Sequence, residues 1–112
     1  MNFQLQNLLD QCRTIKEVKK SFLNRGDLIF LKTDNSVYKI DVVDKEHYTV
    51  SGGWFDKNNL SPAKMKINGC TWGGSAIKSD IIAACGLFLE FGNRLRTSRI
   101  QQIIILPKCF EN

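Results

Sequence analysis

Asp27-Leu-Ile-Phe-Leu-Lys32, Thr33-Asp-Asn-Ser36 and Val37-Tyr-Lys-Ile-Asp-Val-Val43 read in that order as strand, turn and return strand. In the return strand Val37, Lys39, Asp41 and Val43 share one face, and Tyr38, Ile40 and Val42 the other, the period of two expected of a half-buried strand. Thr33–Ser36 carries side chains that bond to their own backbone in tight turns. Further on, Asp44-Lys-Glu46 is a second turn, His47-Tyr-Thr-Val50 a third strand, and Ser51-Gly-Gly53 closes the unit. This is an antiparallel meander, the pattern of a small sheet or SH3-like barrel.

Downstream, residues 54–62 read as a loop that opens on Trp54 and Phe55, and Ala63-Lys-Met-Lys-Ile-Asn68 alternates again. Gly69-Cys-Thr-Trp-Gly-Gly74 is rich in the residue that lets a backbone approach a ligand or another chain closely. Ser79 or Asp80 is placed to cap a short helical turn over Ile81–Cys85, ended by Gly86. Leu87–Phe91 and Arg99–Leu106 read as a closing hairpin, stopped by Pro107.

Upstream of the meander the period changes. Phe3, Leu5, Leu8, Leu9 and Cys12 recur at helical spacing, and Thr14-Ile-Lys-Glu17 has the form of a capping box. Ile15, Val18, Phe22 and Leu23 then mark a second apolar face, with Gly26 as its stop. The expected architecture is α+β in a single domain over 1–112. A helical segment, residues 1–25, as one bent helix or two short ones, packs on one antiparallel β domain, residues 26–107.

With 112 residues, 43% of them hydrophobic, the chain can bury a core and is not a disordered tail. Net charge is +5, and residues 57–108 carry eight cations against only Asp80 and Glu90. A positive field concentrated there favours an anionic partner. Cys12, Cys70, Cys85 and Cys109 form no CxxC pair, and His47 is the single histidine, so neither a metal site nor a cofactor is expected. The start Met-Asn-Phe-Gln-Leu-Gln-Asn lacks the basic region and apolar run of a secretory leader, and no stretch nears the ~20 apolar residues of a membrane span. A reduced, cytoplasmic protein with core cysteines and no membrane partner is the expectation.

Catalytic motifs are lacking: GxSxG, HExxH and a P-loop do not occur, and His47 falls in a strand beside Tyr48 with no displayed partner. The chain reads as a non-enzyme. Binding chemistry is better represented in Phe91-Gly-Asn-Arg-Leu-Arg-Thr-Ser-Arg99. Guanidinium forks grip phosphate bidentately, and aromatic faces or arginine planes stack on rings. Phe91, Asn93, Arg94, Arg96 and Arg99, joined by Trp54 and Trp72 beside their Gly-Gly pairs, are therefore the candidate ligand-binding residues. The plainer readings are a solvated basic turn, with Gly-Asn as turn chemistry, and aromatics that serve the core.

Gly52-Gly-Trp-Phe-Asp56, Ile67-Asn-Gly-Cys-Thr-Trp-Gly-Gly-Ser-Ala76 and Leu89-Glu-Phe-Gly-Asn-Arg-Leu-Arg-Thr-Ser-Arg-Ile100 together resemble a phage family. It is the first type of Thoeris anti-defence protein, the sponge proteins, and the likeness spans most of residues 26–106. The resemblance implies a non-catalytic viral protein that sequesters the cyclic ADP-ribose isomer made by host TIR-domain enzymes. For some members it also implies binding of cyclic oligonucleotides. It implies a homo-oligomer with ligand held between subunits, working in the host cytoplasm. Its site carries over as aromatic plus Asn plus Arg, here Phe91, Asn93, Arg94, Arg96 and Arg99. The competing class is a small basic nucleic-acid-binding module, with Lys64, Lys66 and the same arginines along a phosphate backbone.

Overall fold

Apolar residues at alternate positions of β2 (Leu28–Thr33), β3 (Val37–Val42) and β4 (Tyr48–Gly52) must all find the same side of a sheet, and register makes them do so. Ile29 stands opposite Ile40, and Ile40 opposite Val50. The row is completed by Ala63 of β5 (Ala63–Met65) at one edge and Ile105 of β10 (Ile100–Leu106) at the other. The result is a five-stranded antiparallel sheet in the order β10-β2-β3-β4-β5. The computed structural model describes residues 15–108. The meander expected over 27–50 is present. The Thr33–Ser36 turn closes through a 2.8 Å bond from the Thr33 amide to the Ser36 carbonyl, with the Thr33 hydroxyl bonding Ser36 as well.

A neighbouring row, Ile103–Leu31–Tyr38, runs into Gly52, where β4 gives way to the one-turn helix α1 (Gly53–Lys57). The Tyr38 ring occupies the space there: a Cβ on Gly53 would lie 2.4 Å from it, so only glycine fits. α1 drops Phe55 into the core, perpendicular to Phe91 at 5.1 Å and edge-on to Tyr38 at 6.3 Å. Such edge-to-face contacts stabilise beyond simple burial.

The rest of the chain forms two smaller antiparallel sheets, not the single sheet expected. One has the order β7 (Ile77–Lys78), β6 (Ile67–Thr71), β9 (Phe88–Phe91); the other pairs β1 (Glu17–Lys19) with β8 (Ile81–Ala84). One cluster of buried side chains runs through all three sheets, from Val18 and Ile82 to Leu89, Ile29 and Phe55.

Three local expectations are corrected. The helix expected over residues 15–24 is instead β1 and a 3-10 turn, Lys20–Phe22; only Val18 of β1 faces inward, and Phe22 is 72% exposed. The helical expectation for Phe3, Leu5, Leu8, Leu9 and Cys12, and its cap at Thr14, lie outside the described residues. Of Ile81–Cys85, expected as a helical turn, Ile81–Ala84 is strand β8, whose four residues are all buried. A strand buried on both faces carries no polar alternation, and a continuous apolar run does not betray its period. Its backbone then needs a partner, which residues 16–20 supply: Cys85 N–H donates to Lys16 at 2.8 Å, and Lys20 N–H to Asp80 at 2.9 Å. Lastly, β9 and β10 form no hairpin. β9 pairs with β6, while the longer apolar β10 pairs with β2.

Candidate functional site

Between β9 and β10 the arginine segment first makes a tight turn. The Phe91 carbonyl accepts from Arg94 N–H at 2.8 Å, Phe91 N–H donates to Leu95, also at 2.8 Å, and the Asn93 carboxamide accepts from Leu95 N–H at 3.1 Å. This is a three-residue hairpin loop whose last residue must be left-handed, a place usual for glycine. Arg94 occupies it at φ +70°. Asn93 is thus a turn-former, and Arg94 sits exposed at the tip, its side chain without a hydrogen bond or ion pair among the described residues. A left-handed non-glycine residue costs about 1–2 kcal/mol, partly offset by the extra unfolded-state freedom glycine brings. Arg94→Gly is therefore expected to raise stability by about 0.5–1 kcal/mol in urea denaturation. An unchanged or lower midpoint would contradict the turn assignment.

Phe91 does not offer its ring to a ligand. It is fully buried between Phe55 and Tyr38, so the expected aromatic platform at this position is core.

Arg96 turns back along β9 through a bridge to Glu90. Its Nε donates to the Glu90 carboxylate, its Nη1 to the Gly73 carbonyl and its Nη2 to the Gly74 carbonyl, each at 2.9 Å. The Glu90 side chain is only 8% exposed, and its other oxygen accepts from Asn68 Nδ2 at 2.7 Å. The Asn68 amide first, and the Arg96 guanidinium next, hold the Glu90 carboxyl below its ordinary range.

Arg99 is pinned through its backbone: its carbonyl accepts from Asp34 N–H at 3.0 Å, and the preceding Ser98 hydroxyl donates to Thr33 Oγ1 at 2.8 Å. Its guanidinium lies over the Phe88 ring, 5.6 Å from the centroid. Phe88 lies opposite Thr71 across the β6–β9 pair, which brings it beside the Trp72–Gly74 loop. On the far side of β6, β7 places Lys78 Nζ 5.0 Å from the centre of the Trp72 ring, which is 62% exposed. Two cation–aromatic pairs thus flank β6, one through Lys78 of β7 and one through Phe88 of β9, and Arg96 bonds the loop that follows β6.

Of the expected site residues, the fold gathers Trp72, Arg96 and Arg99, leaves Arg94 and Asn93 at the hairpin tip, and withdraws Phe91 into the core. Trp54 is on α1, its ring perpendicular to Phe55 at 5.4 Å, and none of its hydrogen bonds or aromatic contacts reaches the Trp72 group. Lys78 and Phe88 lie outside the set of candidate ligand-binding residues that the sequence offers. The signal for Lys78 was present: a Gly-Gly turn flanked by Thr-Trp and Ile-Lys is a hairpin, and pairing Thr71 with Ile77 brings Trp72 and Lys78 together.

His47 sits in an exposed turn, its Nδ1 3.0 Å from Asp44. Burial pushes the Cys70 thiol up to about 11, which keeps it protonated at neutral pH. Among the described residues no cluster of three or more His, Cys, Asp or Glu is placed to hold a metal ion, and no helix is long and apolar enough to cross a membrane. None of the protein-family models, curated proteins and solved structures compared with the chain matches it.

Proposed function

We propose that the chain binds and sequesters, without turning it over, a small phosphorylated ligand that carries a stackable ring, a nucleotide of the cyclic ADP-ribose class. The observation that supports this best is the pair of cation–aromatic contacts, Lys78 of β7 on Trp72 and Arg99 on Phe88 of β9, on the two strands that flank β6. Exposed cation–π contacts contribute only about 0.5–1 kcal/mol each, so they add little to folding, but they hold cations beside flat apolar faces. A nucleotide needs that combination: a face for its ring and a charge for its phosphate.

The likeness to the sponge proteins extends this reading to a phage protein that removes a TIR-made immune signal in the host cytoplasm, as a homo-oligomer with the ligand near a subunit boundary. A domain of this size encloses a nucleotide poorly by itself, because a large pocket competes with the core that holds it together.

The test is to incubate the purified protein with a cyclic ADP-ribose isomer, remove unbound nucleotide, denature by heat and identify what is released. Intact nucleotide in stoichiometric amount is expected. Arg99→Ala should weaken its binding roughly ten- to hundredfold, the loss of one charged hydrogen bond, with the melting curve unchanged. Release of a hydrolysed product would make the protein an enzyme. Absence of nucleotide, together with salt-sensitive retention of DNA or RNA, would favour the nucleic-acid module instead.

A further inference from the structure

Resting on the nucleotide-binding reading, we infer that Arg96 is a positioning residue: a strut that holds the Trp72 loop in its binding-competent place, and not a group that grips phosphate. Three of the five N–H donors of its guanidinium are already committed, one from each nitrogen: Nε to Glu90, Nη1 to the Gly73 carbonyl and Nη2 to the Gly74 carbonyl. Its charge is matched by a carboxylate whose side chain is 8% exposed and held from behind by Asn68. An anion arriving at Arg96 would have only the two remaining N–H donors, and would compete with that carboxylate for the charge. Arg99 and Lys78, with no such partner among the described residues, are the better phosphate donors.

The two carbonyls belong to the residues directly after Trp72. At the end of β6 the Thr71 hydroxyl also helps, accepting from Gly73 N–H at 3.1 Å and donating to Gly74 at 3.3 Å. The remaining restraint comes across the sheet from Arg96. A planar fork reaches two adjacent carbonyls at once, which a lysine ammonium on its flexible stem does not reproduce. Glu90 and Asn68 form the footing: they fix the guanidinium plane, and the guanidinium fixes the loop that presents the indole beside Lys78.

The two roles for Arg96 predict opposite signs for one substitution. A phosphate-gripping Arg96 relieved of its carboxylate by Glu90→Gln would bind an anion more tightly, whereas a strut that loses its footing binds more weakly. The experiment measures amide hydrogen exchange over residues 72–76 in the free protein, and affinity for a cyclic ADP-ribose isomer, in Arg96→Ala, Arg96→Lys and Glu90→Gln. Exchange at Gly73, whose N–H is the amide of 72–76 that donates a hydrogen bond, is expected to quicken in all three while the β2–β3–β4 amides stay protected. Affinity is expected to fall about tenfold, on the order of one lost hydrogen bond, with Lys no better than Ala. Tighter binding by Glu90→Gln, or recovery of binding by Arg96→Lys, would overturn the strut. Should the nucleotide bind no form of the protein, the binding reading fails by itself. The strut is then judged by exchange alone, and unchanged exchange over 72–76 in Arg96→Lys and Glu90→Gln refutes it.

Discussion

Phe91→Ala is expected to destabilise the fold by about 3–5 kcal/mol, the usual cost of emptying a fully buried phenylalanine site. The ring has no exposure and touches both Phe55 and Tyr38, at 5.1 and 5.8 Å, so its loss leaves a cavity where β9, α1 and the main sheet meet. Little can collapse into that space, because Phe55 is held by α1 and Tyr38 by the β2–β3–β4 ladder. Thermal denaturation should show a midpoint lower by about 10 °C or more, given the few degrees that each kcal/mol moves a domain of this size. Phe91→Leu keeps most of the volume, and is expected to retain both the fold and nucleotide binding. If Phe91→Leu folds normally but no longer binds nucleotide, the ring does touch the ligand and its assignment to the core is incomplete.

Gly69→Ala is expected to be nearly as damaging, for a backbone reason. Gly69 lies in β6 at φ +140°, and a Cβ there would stand 2.2 Å from the Lys78 carbonyl oxygen. Backbone cannot swing aside as a flexible side chain can, so β7 would have to move. A left-handed backbone disfavoured by about 1–2 kcal/mol and overpacking of about 1–3 kcal/mol together suggest a loss of about 2–5 kcal/mol. β7 carries Lys78, so the same substitution should also shift the cation away from Trp72 and weaken nucleotide binding. Urea denaturation gives the stability change. A midpoint within experimental scatter of the parent protein would show that β6 and β7 are not held this closely in solution.

Glycine at this position signals close approach in the sequence, and close approach is what it serves. The approaching chain is β7, not a ligand. The Gly52-Gly53 pair has the same explanation, since Gly52 makes room for the Val37 carbonyl and Gly53 for the Tyr38 ring.

What the sequence by itself determined is the part written in short-range alternation. Val37–Val42 and Tyr48–Gly52 set apolar residues on one face against mostly polar ones on the other, Leu28–Thr33 is a short apolar run ended by an explicit turn, and so the meander could be read without coordinates. The rest depended on partners far along the chain. Val18 and Phe22 fit a helix by spacing, but β8, more than sixty residues later, offers buried backbone that residues 16–20 satisfy as a strand. The three arginines look equivalent in the sequence. Tertiary structure separates them, because Arg94 falls at a turn tip, Arg96 meets Glu90 and the carbonyls of Gly73 and Gly74, and Arg99 is carried onto Phe88 by bonds to the Thr33–Asn35 turn. Periodicity is a property of neighbours in sequence and can be read there. Which guanidinium is neutralised and which stays available is decided by contacts between distant segments, formed only once the sheets have packed.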